Sequence, residues 1–378
     1  MPPAPDTTLR LSLRLDGRPC SYVLGRGVLS LLPTLLGDRP AVVLLDRGAV
    51  RDRRERLTAT LRDRRGRPLP TLTLDGGEGV KSLASLERVY AWLARRGLPR
   101  DGTLVGVGGG ALLDLAGFAA ATWQRGVDFV SAPTTLLAMV DASLGGKTAL
   151  DVAGVKNNVG AFHPAIHVLA DPGFLATLPR REWRSGLAET IKAAVIASPS
   201  LFADLERHAP ALRAAFGEAR PRRPRGRDLA SAGALRLPWP RWIGGAARVK
   251  ARIVGRDFRE EGPRRALNLG HTLGHALEAA GGLNHGEGVA AGLAMAVAIA
   301  HLRGLCPTRD AVRILALIEA CGLPLAPPFP PLATLERLIA GDKKRRRGVV
   351  GWVLPERIGR VRLDQPVDLR NVAAIPAQ

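Results

Sequence analysis

The sequence predicts an α/β protein in two parts: a mainly parallel sheet flanked by helices in the first half, and an all-helical second half. Three observations carry this. An apolar run at 103–107 stops at Gly108-Gly109-Gly110 and passes into a helical pattern over 111–123, the order strand, glycine turn, helix. Short apolar runs at 41–45 and 129–132 end in Asp46 and in Pro133-Thr134-Thr135, so strands alternate with helices over roughly residues 1–175. Past Leu178-Pro179, alanine-rich segments of helical length dominate, at 183–197, 264–280, 288–303 and 309–320.

The other segments follow in order. Residues 9–15 alternate as a strand does, and 349–354 with 361–363 predict a terminal hairpin. Residues 217–245, rich in Arg, Pro and Gly, predict a surface loop. There is no internal repeat. The chain has 378 residues, about twice a typical domain, so two domains are expected, 1–177 and 178–378. With 46% hydrophobic and 24% charged residues it is neither disordered nor fibrous. The longest strongly apolar stretch, 288–300, is shorter than the roughly 20 residues a bilayer requires, and no transmembrane helix is expected. The first ten residues carry three prolines and no apolar signal core. Cys20, Cys306 and Cys321 are too few and too scattered for a disulfide framework, so the expected compartment is the cytoplasm.

A formal net charge of +21 would suggest a polyanion partner. The excess, however, clusters at Arg220, Arg222, Arg223, Arg225 and Arg227 and at Arg345, Arg346 and Arg347, without the interleaved aromatics that base stacking needs, so nucleic acid is not the expected partner. The chain has only seven lysines against 48 arginines. A lysine kept against that bias marks a place where a compact ammonium fits and a planar fork does not.

Three constellations carry chemistry. Gly106 to Gly110, between strand and helix, lets a pyrophosphate approach a helix N-terminus, but the spacing is not GxGxxG, and the candidate ribose acid Asp46 precedes the turn instead of following it. Pro133-Thr134-Thr135, Asp141, Gly145-Gly146-Lys147 and Lys156-Asn157 gather hydroxyls, ammonium groups and an amide among glycines, a set suited to a phosphorylated, hydroxylated small molecule. On a single helix, Arg264, Asn268, His271 and His275 form one polar stripe. His271, His285 and Glu189 would make a three-ligand zinc site with an open position; His271 with His275 is the rival pair, and spacing does not choose between them. Glu189 and Lys192, at i and i+3, read by themselves as a surface pair.

Taken in order, Gly108-Gly109-Gly110, Gln124-Arg125-Gly126, Pro133 to Leu137, Gly145-Gly146-Lys147, Lys156-Asn157, Leu187 to Lys192, Asn268 to Thr272, His285-Gly286-Glu287 and Asp342-Lys343-Lys344 resemble the 3-dehydroquinate synthase family over about residues 75–355. The resemblance implies a Rossmann-like NAD-binding domain followed by a helical metal- and substrate-binding domain. It implies zinc, or cobalt in its place, on Glu189, His271 and His285. NAD would meet Asp46, Gly77, Glu78, Lys81, Gly109, Gly110, Asp114, Thr134, Thr135, Lys147, Lys156, Phe174 and Thr177. A sugar phosphate would meet Asp141, Lys147, Lys156, Asn157, Lys192, Lys250, Arg264, Asn268 and Lys343, with Arg125 supplied by the other subunit of a homodimer. Glu260 and His275 match the family's proton-transfer residues, and Lys192 and Arg264 would stabilise charge on phosphate. The chain departs from the family at Leu113, where a glycine is usual and where a larger side chain would crowd the pyrophosphate, and at Gly76, where an aspartate is expected. Other sugar-phosphate cyclases and metal-dependent polyol dehydrogenases share the inventory; Lys147, Lys156-Asn157, Lys250 and the Arg264/Asn268 pair favour the dehydroquinate reaction.

Overall fold

A computed structural model describes residues 6–50, 57, 59–217, 233–328, 330–340, 345–346 and 349–369. The chain divides into two compact units, Met1–Leu178 and Pro179–Gln378.

The first unit is built on a seven-stranded sheet. Its strands are β1 (Asp6–Leu15), β2 (Arg18–Arg26), β3 (Ala41–Asp46), β4 (Thr71–Leu74), β5 (Thr103–Gly108), β6 (Asp128–Pro133) and β9 (His167–Ala170), in the spatial order β1-β2-β9-β6-β5-β3-β4. Only the β1–β2 hairpin is antiparallel; β2, β9, β6, β5, β3 and β4 run parallel. Every residue of β5 is buried, as a central parallel strand requires. Helices α1 (Leu83–Arg96) and α2 (Gly110–Thr122) follow β4 and β5. Because β3, β5 and β6 are neighbours, their carboxyl ends bring Asp46, Gly108 and Pro133 side by side, where open α/β sheets hold ligands. A separate antiparallel hairpin, β7 (Lys147–Val152) and β8 (Val155–Phe162), packs on α2. The sequence reading assigns no strands here.

The second unit is helical: α3 (Arg180–Ala197), α4 (Pro199–Arg207), α5 (Ala209–Phe216), α6 (Trp239–Arg256), α7 (His271–Ala280), α8 (His285–Leu302), α9 (Thr308–Ala320) and α10 (Leu332–Ala340), with the hairpin Trp352–Arg357 and Arg360–Gln365 near its end. Trp183, Trp239 and Trp242 cluster in its core, with ring centroids 4.4 and 5.0 Å apart. The loop expected over 217–245 is therefore corrected in its last part. Pro238 is the N-cap of α6 and Pro240 lies in its first turn, where a missing N–H costs nothing, and Trp239, Trp242 and Ile243 at i, i+3 and i+4 bury one face. Residues 218–232, with the first arginine cluster, lie outside the described residues, as do Arg347 and the Asp342-Lys343-Lys344 motif.

Helix α8 is longer than the apolar stretch seen in the sequence. Its 18 residues with a mean hydropathy of 1.2 would suffice by length and composition to cross a membrane, but 72% of it is buried within the protein. It packs against α3, α7 and α9 and is the core helix of its unit.

Candidate active site

The helix expected over 264–280 is two pieces. Pro263–Asn268 forms a 3₁₀ turn, Gly270 takes φ 77°, and α7 starts at His271. A Cβ at Gly270 would lie 2.7 Å from the Val289 carbonyl oxygen, so both its left-handed conformation and its contact with α8 call for glycine. The break removes Arg264 and Asn268 from the stripe and leaves His271 at the first position of α7.

Glu189 comes from the buried middle of α3. His285 opens α8, whose N-terminus is closed by a capping box: Asn284 accepts the Glu287 N–H (2.9 Å), and Glu287 accepts the Asn284 N–H (2.8 Å). Gly286 presses on α3, where a Cβ would lie 2.2 Å from the Ser185 Cα, and its N–H donates to the Ser185 hydroxyl (3.1 Å). Ser185 stands one turn before Glu189, so this contact delivers His285 to that carboxylate. Glu189 Oε1 lies 3.6 Å from His271 Nε2 and 3.4 Å from His285 Nε2. Ligand atoms of all three residues lie within 4.8 Å of one another.

The triad fits a divalent ion. Two ligand atoms each about 2.0–2.1 Å from a tetrahedral zinc are about 3.4 Å apart, close to the distances seen. Both imidazoles turn Nε2 inward because Nδ1 has an acceptor: the Leu269 carbonyl for His271 (3.2 Å) and Glu278 Oε2 for His285 (3.4 Å). Glu189 Oε1 is buried without a hydrogen-bond partner. Burial pulls the His285 pKa down, yet Glu189 and Glu278 outweigh it and push it up to about 9, so this spot calls for positive charge. His275 is exposed beside the triad, its ring 5.0 Å from His271 and 6.1 Å from His285, and is not part of it.

Lys192 is not on the surface. It is 2% exposed, with Nζ 2.5 Å from Glu189 Oε2. Lys250, on α6, is 8% exposed. Arg264 is buried, with Nη1 donating to the Phe258 carbonyl. Asn268 Nδ2 donates to Glu260 Oε1 (2.7 Å), and Glu260 itself has φ 63°. Its loop is organised by Asp257, which accepts the N–H groups of Glu261, Gly262 and Arg264 at 2.8–3.0 Å. Burial works against the Asp257 charge, but these N–H groups hold its carboxyl below the usual range. Lys343 lies outside the described residues.

In the first unit, Asp46 ends β3 and accepts the Gly48 N–H (2.7 Å). Gly109 precedes α2 without a side-chain cap, so the first N–H groups of that helix are offered to an anion, with Gly110 as its first residue. Leu113 does not crowd that turn. It is 3% exposed and packs under β5, its Cδ2 3.2 Å from where a Gly106 Cβ would lie. The Thr134 N–H donates to the Gly108 carbonyl (2.9 Å), and Thr135 Oγ1 accepts the Ala138 N–H (3.2 Å). Asp141 sits on a single π turn, Ala138–Ala142, a form frequent at functional sites. Phe174 and Thr177 belong to the 3₁₀ turn Pro172–Thr177. Arg125 is exposed on a turn in which Gln124, Arg125 and Gly126 all have positive φ.

Gly77 precedes the turn Glu78–Val80. Lys81, only 4% exposed, has Nζ 3.0 Å from Asp114, 3.3 Å from Glu78 and 3.7 Å from Asp151, and donates to the Asn157 side-chain carbonyl. Burial pushes the Asp114 carboxyl up to about 6 against the pull of Lys81. Lys147 and Lys156, at either end of the β7–β8 hairpin, are exposed. Asp151, Ser185, Asp257 and Glu278 were not singled out from the sequence; a carboxylate or hydroxyl that acts on backbone or on another side chain leaves no spacing signature.

A family model described as 3-dehydroquinate synthase N-terminal matches residues 71–185, and one for the C-terminal part of the same enzyme matches 186–345. The 3-dehydroquinate synthase of Xylella fastidiosa (strain 9a5c) is 41% identical over 376 residues, covering 95% of this chain and 90% of its own. That of Rhodospirillum rubrum is 44% identical over 313 residues, covering 80% and 76%. Among solved structures, a 2-epi-5-epi-valiolone synthase from Streptomyces hygroscopicus subsp. jinggangensis 5008, with NAD+ and Zn2+ bound, superposes with a TM-score of 0.81 at 28% identity over 94% of this chain and 95% of that one. A 2-deoxy-scyllo-inosose synthase shares the fold with a TM-score of 0.79 at 24% identity, covering 97% of this chain and 98% of that one. The chain belongs to the 3-dehydroquinate synthase family.

Proposed function

We propose that the chain converts 3-deoxy-D-arabino-heptulosonate 7-phosphate to 3-dehydroquinate and phosphate. The observation that carries this reading within the molecule is the Glu189–His271–His285 triad, with a buried carboxylate oxygen lacking a hydrogen-bond partner and Lys192 on the other oxygen. When bound, zinc or cobalt would polarise a substrate hydroxyl and NAD would take up and return its hydride. Glu189, His271 and His285 hold the metal. Asp46, the uncapped first turn of α2, Asp114, Thr134, Thr135 and the segment at Phe174 and Thr177 hold the nucleotide, with Gly77, Glu78 and Lys81 on its adenosine side.

The chain's own groups do the rest. Lys147, Lys156, Asn157, Lys192, Lys250, Arg264 and Asn268 donate to the phosphate, carboxylate and hydroxyls of the substrate, with Asp141 as an acceptor and Lys343 completing the set. The ammonium and guanidinium groups stabilise charge on the phosphate as its C–O bond breaks. Glu260, hydrogen-bonded to Asn268, and the exposed His275 carry protons. The protein works as a cytoplasmic homodimer in which the exposed Arg125 serves the neighbouring subunit. The high sequence identity to dehydroquinate synthases supports this substrate over that of the structurally similar valiolone synthase.

The test is phosphate release from metal-stripped protein, with zinc and NAD added separately and together while NADH absorbance is followed. Release that needs both, without NADH accumulation, is expected. Net NADH would make the chain a dehydrogenase, and silence with this substrate would exclude the reaction.

A further inference from the structure

The tip of the β7–β8 hairpin is built around an irregularity. Leu150 pairs with Val159 and Val152 with Val155, so Lys156, Asn157 and Asn158 together stand opposite Asp151 alone. Bulges of this kind re-aim side chains and recur beside active sites. Asn157, Asn158 and Asp151 are each held in place. The Asn158 carboxamide replaces a ladder rung, accepting the Val152 N–H and donating to the Val152 carbonyl, both at 2.9 Å. Asn157 has φ 53°, a left-handed conformation that asparagine tolerates better than most residues but that still needs support. Its N–H donates to Asp151 Oδ1 (2.7 Å), and its side-chain carbonyl accepts from Lys81. Asp151 closes the loop, with Oδ1 3.7 Å from the Lys81 ammonium and its own N–H donating to the Lys81 carbonyl (2.8 Å). Lys81 also meets Asp114 of α2 and Glu78. Burying an ammonium almost completely is costly unless it is paired, and Lys81 meets that demand with Glu78, Asp114, Asp151 and Asn157.

We propose that Asp151 is a positioning residue: with Lys81 it holds Asn157 in its left-handed conformation, and so sets the aim of the Lys156-Asn157 pair on the phosphorylated substrate. This rests on the reading above that Asn157 binds substrate. It also links the adenosine-side turn at Glu78 and the helix carrying Asp114 to the substrate hairpin through one ammonium.

The experiment compares Asp151→Ala, Asp151→Asn, Asn157→Ala and the Asp151→Ala/Asn157→Ala double variant in the zinc- and NAD-loaded enzyme. It reads kcat, KM for the sugar phosphate, the NAD dissociation constant, and hydrogen exchange of the peptide spanning 152–160. Asp151→Ala is expected to raise KM about tenfold while kcat and NAD affinity change less than about threefold, and to speed exchange at 156–158. Asp151→Asn keeps an oxygen that can accept the Asn157 N–H and should recover most of the KM. The double variant should be no worse than Asn157→Ala, because one residue acts through the other. Additive losses, or a normal KM in Asp151→Ala beside a raised one in Asn157→Ala, overturn the positioning role. A normal KM in Asn157→Ala with fast exchange in Asp151→Ala identifies a different failure, that of the substrate reading, and leaves the cluster purely structural.

Discussion

Lys192 Nζ stands 2.5 Å from one oxygen of Glu189 while the other oxygen faces His271 and His285 at 3.6 and 3.4 Å, and both members of the pair are 2% exposed. The carboxylate is thus shared between a fixed cation and the position of a metal. Removing one member of a buried pair costs about 3–5 kcal/mol because a charge is left uncompensated. A divalent ion on the second oxygen can compensate it. Lys192→Met should therefore lower the melting temperature of chelator-treated protein by more than that of zinc-loaded protein, while kcat of the zinc-loaded enzyme falls. Equal loss of stability with and without zinc would place the influence of Lys192 away from the carboxylate.

The imidazoles offer a graded test of the triad. His271→Ala removes a ligand and should abolish zinc retention after dialysis together with activity. Glu278→Gln leaves all three ligands but weakens the acceptor on His285 Nδ1, and a change of that type costs about 10–100-fold in metal affinity. Zinc titration in competition with a chromophoric chelator measures both. Full zinc content in His271→Ala would refute the assignment.

Asp114 gives the pH dependence a sign. Its carboxyl is raised to about 6 in the folded chain by burial, above the ordinary value of 3.8. Between those values the folded state binds more protons than the unfolded one, so this residue's contribution lowers stability as pH rises from about 4 to about 6, by at most about 3 kcal/mol. Asp114→Asn should remove that slope. Urea unfolding of metal-free protein at intervals from pH 4 to 7 checks it, and an unchanged slope in the variant would assign the proton elsewhere. The same variant takes a carboxylate from Lys81, so its stability near neutral pH separates the burial cost from the ion pair.

Much of this arrangement is legible in the sequence, and the failures have physical causes. The strand at 103–107 and its helix could be read because three glycines interrupt a change from one hydrophobic period to another. The histidines could be read from their crowding, and Glu189 was named with them, but spacing did not choose that triad over the His271/His275 pair, since a carboxylate in an alanine-rich helix has no distinguishing pattern. The break at Gly270 was hidden because Asn268 to His275 keeps helical periodicity, and one glycine costs a helix only about 1 kcal/mol. What enforces the break is the approach of Val289, a contact 19 residues away. The β7–β8 hairpin was hidden because the consecutive polar residues Lys156, Asn157 and Asn158 interrupt the alternation that marks strands. Helix α6 was masked by averaging its tryptophans with neighbouring arginines and prolines.

Gly76 is a departure from the family that the structure explains. A Cβ at this position would lie 2.4 and 2.5 Å from the two carboxylate oxygens of Asp46, which lean over the bare backbone. The Asp46 carboxylate also accepts the Gly48 N–H, so it is not at liberty to swing aside without losing that bond. Restoring the family's aspartate as Gly76→Asp therefore combines overpacking, typically about 1–3 kcal/mol, with like-charge repulsion against a residue assigned to the nucleotide. NAD affinity should fall at least about tenfold with a lower melting temperature, and Gly76→Ala should show the steric part alone. Isothermal titration with NAD decides the matter: unchanged affinity in Gly76→Asp would mean that Asp46 does not touch the cofactor, and the carboxyl end of β3 would lose its proposed role.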